Sequence, residues 1–408
     1  MPRKDADFTI LNNGVKQDSI TAIVKPTHEC NLACRYCYIG KEAEEGRMKE
    51  GTLAKMTQDL ASLGVGRVQI IWHGGEPLLM GLDFYRDAIK MQKRFGDDVL
   101  FGNSMQSNGT LIDGNTIEFC EEYYVDIGTS MDGPEEVHNL TRVYPDGRGS
   151  FHDVYRGTKL LRERTKVLQN RHPLIRDEKL ANGYGKERGC LSVGGGTITV
   201  VTRANIGGLK EIYIFFKEED INMKLNPLIR AGLAGTNFDN LAIGSAEYGK
   251  ALAELFDVWF YEKEPTVSID PFEEILGNLM TRRPRGCNFL RSCRENFVSI
   301  GPQGDIYPCG RFDGTREYWL GNIHKTPLAE AMTSERNTRL AERGAETVRG
   351  CAPCDYRHIC NAGCMHNAYM VRGRPEDKDY YCQSYKILFR HLESALHREL
   401  AKAEMAGM

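Results

Sequence analysis

The 408-residue chain has no run of about 18 apolar residues, the length that would span a bilayer. Its N-terminus, MPRKDADFTILNNG, is positively charged but lacks the apolar stretch of a secretory signal. Neither sign of charge dominates: 53 Lys and Arg stand against 56 Asp and Glu, a formal net charge of -3. Nothing in that balance demands nucleic acid or a membrane surface as partner. No internal repeat of fixed period and no low-complexity tract occurs. These absences leave a globular chain expected in the cytoplasm, and its length predicts one large domain plus a smaller one.

Cysteine is scarce through the middle of the chain and dense toward both ends. Of 13 Cys, three lie at 30–37 and eight between Cys287 and Cys382, with only Cys120 and Cys190 between the groups. In a reducing compartment such clusters read as metal ligands rather than disulfides. The first group is Cys30-Asn-Leu-Ala-Cys34-Arg-Tyr-Cys37, spaced CxxxCxxC. Thiolates suit zinc or iron-sulfur clusters, and three protein thiolates on a 4Fe-4S cluster leave one iron open to a small molecule. A structural zinc is the alternative on these residues alone. The second group reads Cys287-x5-Cys293-x10-Gly304-x4-Cys309, then Cys351-x2-Cys354-x5-Cys360-x3-Cys364, then Cys382. Its eight thiols match two fully ligated 4Fe-4S clusters or two four-Cys zinc sites.

Between the groups the hydrophobic pattern alternates. A short β-branched run at 20–27 and the segments 68–76, 99–109, 125–133, 197–202 and 221–228 predict strands. Helical spacing at 53–63, 82–95, 115–124, 150–164 and 207–219 predicts helices between them. The fold class is therefore α/β, and six such units fit a partial (β/α)6 barrel with ligand-binding residues at strand C-terminal ends. A polar, Gly-rich insert at 166–196, containing Cys190, breaks the rhythm and is either a functional loop or a mobile one. A helix at 245–263 would close the first domain, and an amphipathic helix at 386–403 would end the chain. The expected organisation is a core at 1–240, a bridging helical segment at 241–286, and a Cys-rich domain at 287–408.

Gly74-Gly75-Glu76-Pro77 follows the second strand, where a glycine pair admits close backbone approach and a carboxylate can accept from an ammonium group. Ser130 and Asp132 close the fourth strand, and Arg142 could bind a carboxylate in bidentate fashion. Together with CxxxCxxC these motifs resemble the radical S-adenosylmethionine (SAM) superfamily. That resemblance implies that Cys30, Cys34 and Cys37 hold a 4Fe-4S cluster whose open iron chelates SAM, and that one-electron reduction yields a 5'-deoxyadenosyl radical. Carried over from peptide and sulfatase maturases, Tyr36, Gly75, Ser130, Arg142 and Leu228 fall on SAM-contacting positions, Leu228 on a strand without a sharp motif.

The second Cys group resembles the SPASM domain in every spacing. The resemblance assigns Cys287, Cys293, Cys309 and Cys364 to one auxiliary 4Fe-4S cluster and Cys351, Cys354, Cys360 and Cys382 to another, making three clusters in all. It implies a peptide substrate and a flavodoxin- or ferredoxin-type reductant. Anaerobic sulfatase maturases, which form formylglycine, carry an Asp base directly after the Cys of GX4C. Here Gly310 and Arg311 follow Cys309. The reading preferred on this ground is a maturase that crosslinks a ribosomally made precursor peptide through a carbon-carbon or thioether bond. Only some twenty residues precede the first strand, so leader recognition would fall to the insert or to a separate leader-binding protein. Cys190 is a candidate hydrogen-atom donor or base, as peptide epimerisation would require, and Cys120 reads as core. An iron-sulfur electron-transfer or scaffold protein without SAM chemistry is the alternative from another class.

Overall fold

The computed structural model describes residues 18–39, 46–96, 98–171, 196–262, 265–290 and 293–406. Cys190 lies outside them.

All six expected strands form, as β1 (Ser19–Thr27), β2 (Arg67–Gly74), β3 (Leu100–Gln106), β4 (Asp126–Ser130), β5 (Thr197–Val201) and β6 (Met223–Pro227). Each pairs in parallel with the next. Helices α1 (Glu50–Ala61), α2 (Leu82–Gln92), α3 (Gly114–Tyr123), α4 (Phe151–Arg171) and α5 (Leu209–Glu218) fall between successive strands. The connection is the one a parallel sheet needs. α4 runs past residue 166, where the insert was expected to begin.

Alternation along the strands sorts the side chains onto two faces. Ile20, Ala22 and Val24 of β1 and Val68, Ile70 and Trp72 of β2 are buried against Leu53, Met56 and Leu60 of α1 and Tyr85 and Ile89 of α2. Cys120 packs at the edge of this core, as its helical position predicts. The alternate residues Lys25, His73, Gln106 and Ser130 share the opposite face at the C-terminal ends of their strands.

The sheet does not end with these six. A two-residue strand β7 (Ile269–Asp270) joins β6 in parallel, and β8 (Phe297–Ile300) pairs in parallel with β1. The strands β9 (Asp305–Tyr307) and β10 (Gly321–Asn322) follow antiparallel, so the order is β10-β9-β8-β1-β2-β3-β4-β5-β6-β7. These four strands are two to four residues long, too short to show a period in the sequence. The Cys-rich region thus extends the sheet of the first domain. Helix α6 (Ser245–Phe260) and α7 (Phe272–Thr281) occupy the bridging segment. The terminal helix α9 (Cys382–Ala406) begins at the last cysteine, earlier than residue 386, and follows a shorter α8 (Met365–Arg372). Its Leu388, Phe389 and Leu392 share one core with Tyr248, Leu252 and Phe256 of α6. Among the described residues no helix is long and apolar enough to cross a membrane.

Candidate active site

The Cys30 loop leaves the C-terminal end of β1 and is pinned to the segment after β4. Ala33 N–H donates to the Val143 carbonyl at 2.7 Å and Arg35 N–H to the Thr141 carbonyl at 2.9 Å. Leu32 N–H lies 3.4 Å and Asn108 Nδ2 3.7 Å from Cys30 Sγ. Burial pushes the Cys30 thiol up to about 11, Cys34 up to about 12, and Cys37 upward as well. Thiols so placed ionise readily only beside a cation or metal, which supplies the missing positive charge.

Beside Cys34 stands a buried polar network centred on Asp132. Its Oδ2 accepts from Tyr36 Oη at 2.5 Å, Thr141 Oγ1 at 3.1 Å and Arg142 Nε at 3.1 Å, and its Oδ1 from Val200 N–H at 3.0 Å. Against the cost of burial, Asp132 and Tyr36 keep the Arg142 guanidinium charged. That guanidinium lies 5.2 Å from the Tyr36 ring centroid. Leu228 packs in one apolar cluster with Tyr36 and Cys34. The structure therefore gathers Tyr36, Asp132, Arg142 and Leu228 around Cys34. Asp132, expected at a ligand, has both oxygens engaged by protein donors, Tyr36 and Arg142 among them.

Ser130 accepts from Gln106 Nε2 at 3.0 Å. Glu76 is fully buried, accepting from Asn108 N–H at 2.7 Å, Ser107 Oγ at 2.9 Å and Leu78 N–H at 3.0 Å. Burial pushes its carboxyl up to about 7 despite these donors. The glycine pair before it also packs against protein backbone. A Cβ on Gly74 would lie 2.2 Å from the Thr27 carbonyl oxygen, and one on Gly75 2.0 Å from that of Glu29. The backbone these glycines admit is that of residues 27–29, which delivers the chain to Cys30.

The eight remaining thiols divide in two. Cys287, Cys309 and Cys364 act electrostatically on Cys293, whereas Cys382, Cys354 and Cys351 act on Cys360. Cys351, Cys354, Cys360 and Cys382 line one pocket together with Lys378 and Lys386. Among the described residues no three His, Cys, Asp or Glu converge on a single-ion position. Thiols gathered in fours have the donor chemistry of iron-sulfur ligation. Near the first set, Arg311 Nη1 lies 3.4 Å from Cys364 Sγ.

Sequence reasoning missed the groups between the Cys30 loop and the Cys309 loop. Lys25 Nζ lies 2.7 Å from Asp313 Oδ2 and donates to the Gly310 carbonyl at 2.8 Å, and His28 Nε2 is 2.8 Å from the same Asp313 oxygen. Although burial opposes it, Lys25 and His28 hold the Asp313 carboxyl well below the usual range. Burial, with Lys25 nearby, pushes His73 down to about 4 and leaves it neutral. The available signal was Lys25 itself, a lone charge near the end of an apolar strand.

The radical SAM superfamily profile matches residues 24–181, and that of the SPASM iron-sulfur cluster-binding domain matches residues 287–355. The cysteine-type anaerobic sulfatase-maturating enzyme of Clostridium perfringens (strain 13 / Type A) is 28% identical over 91% of this chain and 96% of its own length. The serine-type enzyme of Bacteroides thetaiotaomicron is 29% identical, covering 94% and 91%. Among solved structures, native anSMEcpe with bound AdoMet and Kp18Cys peptide superposes with TM-score 0.78 at 25% identity, covering 94% of this chain and 99% of that one. Streptococcus suis SuiB bound to S-adenosylmethionine shares the fold with TM-score 0.59 at 16% identity, covering 90% and 77%.

Proposed function

Since the chain carries a radical SAM domain and a SPASM iron-sulfur cluster-binding domain, and so is a radical SAM enzyme with iron-sulfur clusters that binds SAM, we propose that it matures a peptide by forming an oxidative crosslink. When bound, SAM and the clusters supply the radical that takes hydrogen from carbon and an acceptor for the electron left behind. In this reading Cys30, Cys34 and Cys37 hold the SAM-binding cluster, and the two four-thiol sets hold one auxiliary cluster each. Tyr36, Gly75, Ser130, Arg142 and Leu228 contact SAM, while Asp132, Glu76 and Gly74 position them. The core at 1–240, the bridge at 241–286 and the Cys-rich domain at 287–408 remain the proposed organisation. A flavodoxin- or ferredoxin-type reductant, a separate leader-binding protein and a cytoplasmic location belong to the same proposal, as does Cys190 as a candidate hydrogen donor.

The observation that carries the choice of product is the occupation of the position after Cys309. Gly310 stands there with its carbonyl bound to Lys25. The carboxylate downstream, Asp313, is tied to Lys25 and His28. A carboxylate held far below its usual range is a weak base. That supports crosslinking over formylglycine formation. The second reading, sulfatase maturation, is favoured by the identity to the two sulfatase-maturating enzymes over more than nine-tenths of this chain.

Mass spectrometry after anaerobic reaction of holoenzyme, SAM, reductant and peptide in heavy water separates the two. Loss of two hydrogens from a precursor peptide, with no deuterium on carbon and new connectivity on fragmentation, is the expected result. Conversion of a Cys or Ser to an aldehyde in a sulfatase-derived peptide, with precursor peptides unchanged, would replace it with the second reading. One deuterium gained at an α-carbon would indicate epimerisation.

A further inference from the structure

Asp379 is 1% exposed and sits where the two four-thiol sets meet. Its Oδ2 accepts the N–H of Cys364, a member of the first set, at 2.7 Å. Its Oδ1 accepts the N–H of Tyr381 at 2.7 Å, and Asn367 Nδ2 approaches both oxygens at 3.2 and 3.3 Å. Its own backbone carbonyl accepts from the N–H of Cys382, a member of the second set, at 3.1 Å. Burial raises the carboxyl's pKa, and against it every neighbour of the two oxygens is a donor, an arrangement that suits the ionised, acceptor-only form.

The surroundings hold this carboxylate in place. Gly363, between Cys360 and Cys364, has φ +71°, and a Cβ there would lie 2.6 Å from that of Asp379. The buried Arg343 guanidinium donates to the carbonyls of Gly363 at 2.8 Å, Ala362 at 2.9 Å and Asp377 at 3.0 Å, and also to that of Pro375. The turn between Cys360 and Cys364 is thereby closed over Asp379. A carboxylate used only as a turn cap would be better left in water, because burial of charge is costly.

We propose that Asp379 is a fixed negative charge shared by the two auxiliary clusters, lowering the reduction potential of both. The inference rests on the reading that the eight Cys hold two clusters. Potentials of such clusters follow net charge, hydrogen bonds to sulfur and solvent exposure. Reduction adds an electron, and a nearby carboxylate opposes it. Asp379 also takes up the Cys364 N–H, a donor that would otherwise be available to cluster sulfur and would raise the potential. Asp379 is a positioning residue in this account, and the electron it makes costly to hold is passed on at low potential.

The test is an EPR-monitored redox titration of the holoenzyme, with iron counted on the same samples. In Asp379→Asn the two auxiliary signals shift to more positive potential, while the signal that responds to added SAM keeps its potential. Asn367→Ala removes a donor from the carboxylate without touching a thiol, and shifts the same two signals to more negative potential. Unchanged auxiliary potentials in Asp379→Asn with full iron, or an equal shift of all three signals, overturn the proposal. If Asp379→Asn fails to load, Asn367→Ala decides alone, and an unchanged potential there overturns it. Wild-type protein loading only about four irons instead of about twelve would instead defeat the two-cluster reading on which the inference stands.

Discussion

Lys25 Nζ on the first strand lies 2.7 Å from Asp313 Oδ2 in the loop after Cys309, both side chains nearly or fully buried. The pair ties the approach to the Cys30 loop to the approach to the first auxiliary set. Lys25→Met leaves the Asp313 carboxylate buried with His28. It is expected to cost about 3–5 kcal/mol, because one member of a buried pair then stands uncompensated. Lys25→Met combined with Asp313→Asn recovers part of that loss. Thermal denaturation of the two variants under anaerobic conditions checks the difference. Asp313 has a depressed pKa, so the stability it contributes is present above the ordinary carboxylate range and is lost only as pH falls well below it.

The Asp132 hub holds Tyr36 and Arg142 in fixed positions. Asp132→Asn removes the charge that balances a buried guanidinium, so Arg142 reorients. SAM affinity is expected to fall at least about tenfold, equivalent to about 1.4 kcal/mol. Equilibrium dialysis with labelled SAM measures this. Unchanged iron content at the Cys30 loop distinguishes lost positioning from lost cluster.

Glu76 titrates in the opposite sense from Asp313. Its carboxyl is raised by burial from 4.5 to about 7, so the folded state holds a proton that the unfolded state releases. The stabilisation from neutral Glu76 is full below the unfolded value and lost as pH rises through about 7. Glu76→Gln is expected to flatten the dependence of Tm on pH between about 4.5 and 7, since no proton is then linked to folding there. Melting curves across that window, wild type against variant, give the comparison. Parallel slopes for the two proteins would contradict it.

The partition of the auxiliary thiols predicts how double variants combine. Cys287→Ala and Cys364→Ala fall in one set and should lose the same irons, about four, whether made singly or together. Cys287→Ala with Cys382→Ala should lose about eight. Iron analysis of anaerobically reconstituted protein reads this directly. Additive loss within one set would mean that the thiols are shared differently.

What the sequence showed well was whatever depends on local period or fixed spacing. The six strands of the first domain alternate with helical segments at regular intervals and were legible on that ground, while the Cys spacings propose the ligand sets. The short strands β7 to β10 were not, because two to four residues cannot establish a period and their pairing depends on distant neighbours. Gly74 and Gly75 were legible as special, but their approach to the backbone after β1 was not, since that backbone comes from another strand. Lys25, Asp313 and Asp379 escaped for the same reason. Each is an ordinary charged residue until folding buries it beside partners from far along the chain.

The parallel pairing of β1 with β8 places residues 297–300 beside the strand that opens the fold. A nascent chain leaving the ribosome therefore carries β1 with one flank unpaired until nearly three-quarters of its length has been synthesised. An unpaired flank invites pairing with a second chain. A C-terminal truncation that removes the Cys-rich region strips β1 of that partner and is expected to yield an aggregating fragment rather than a smaller enzyme.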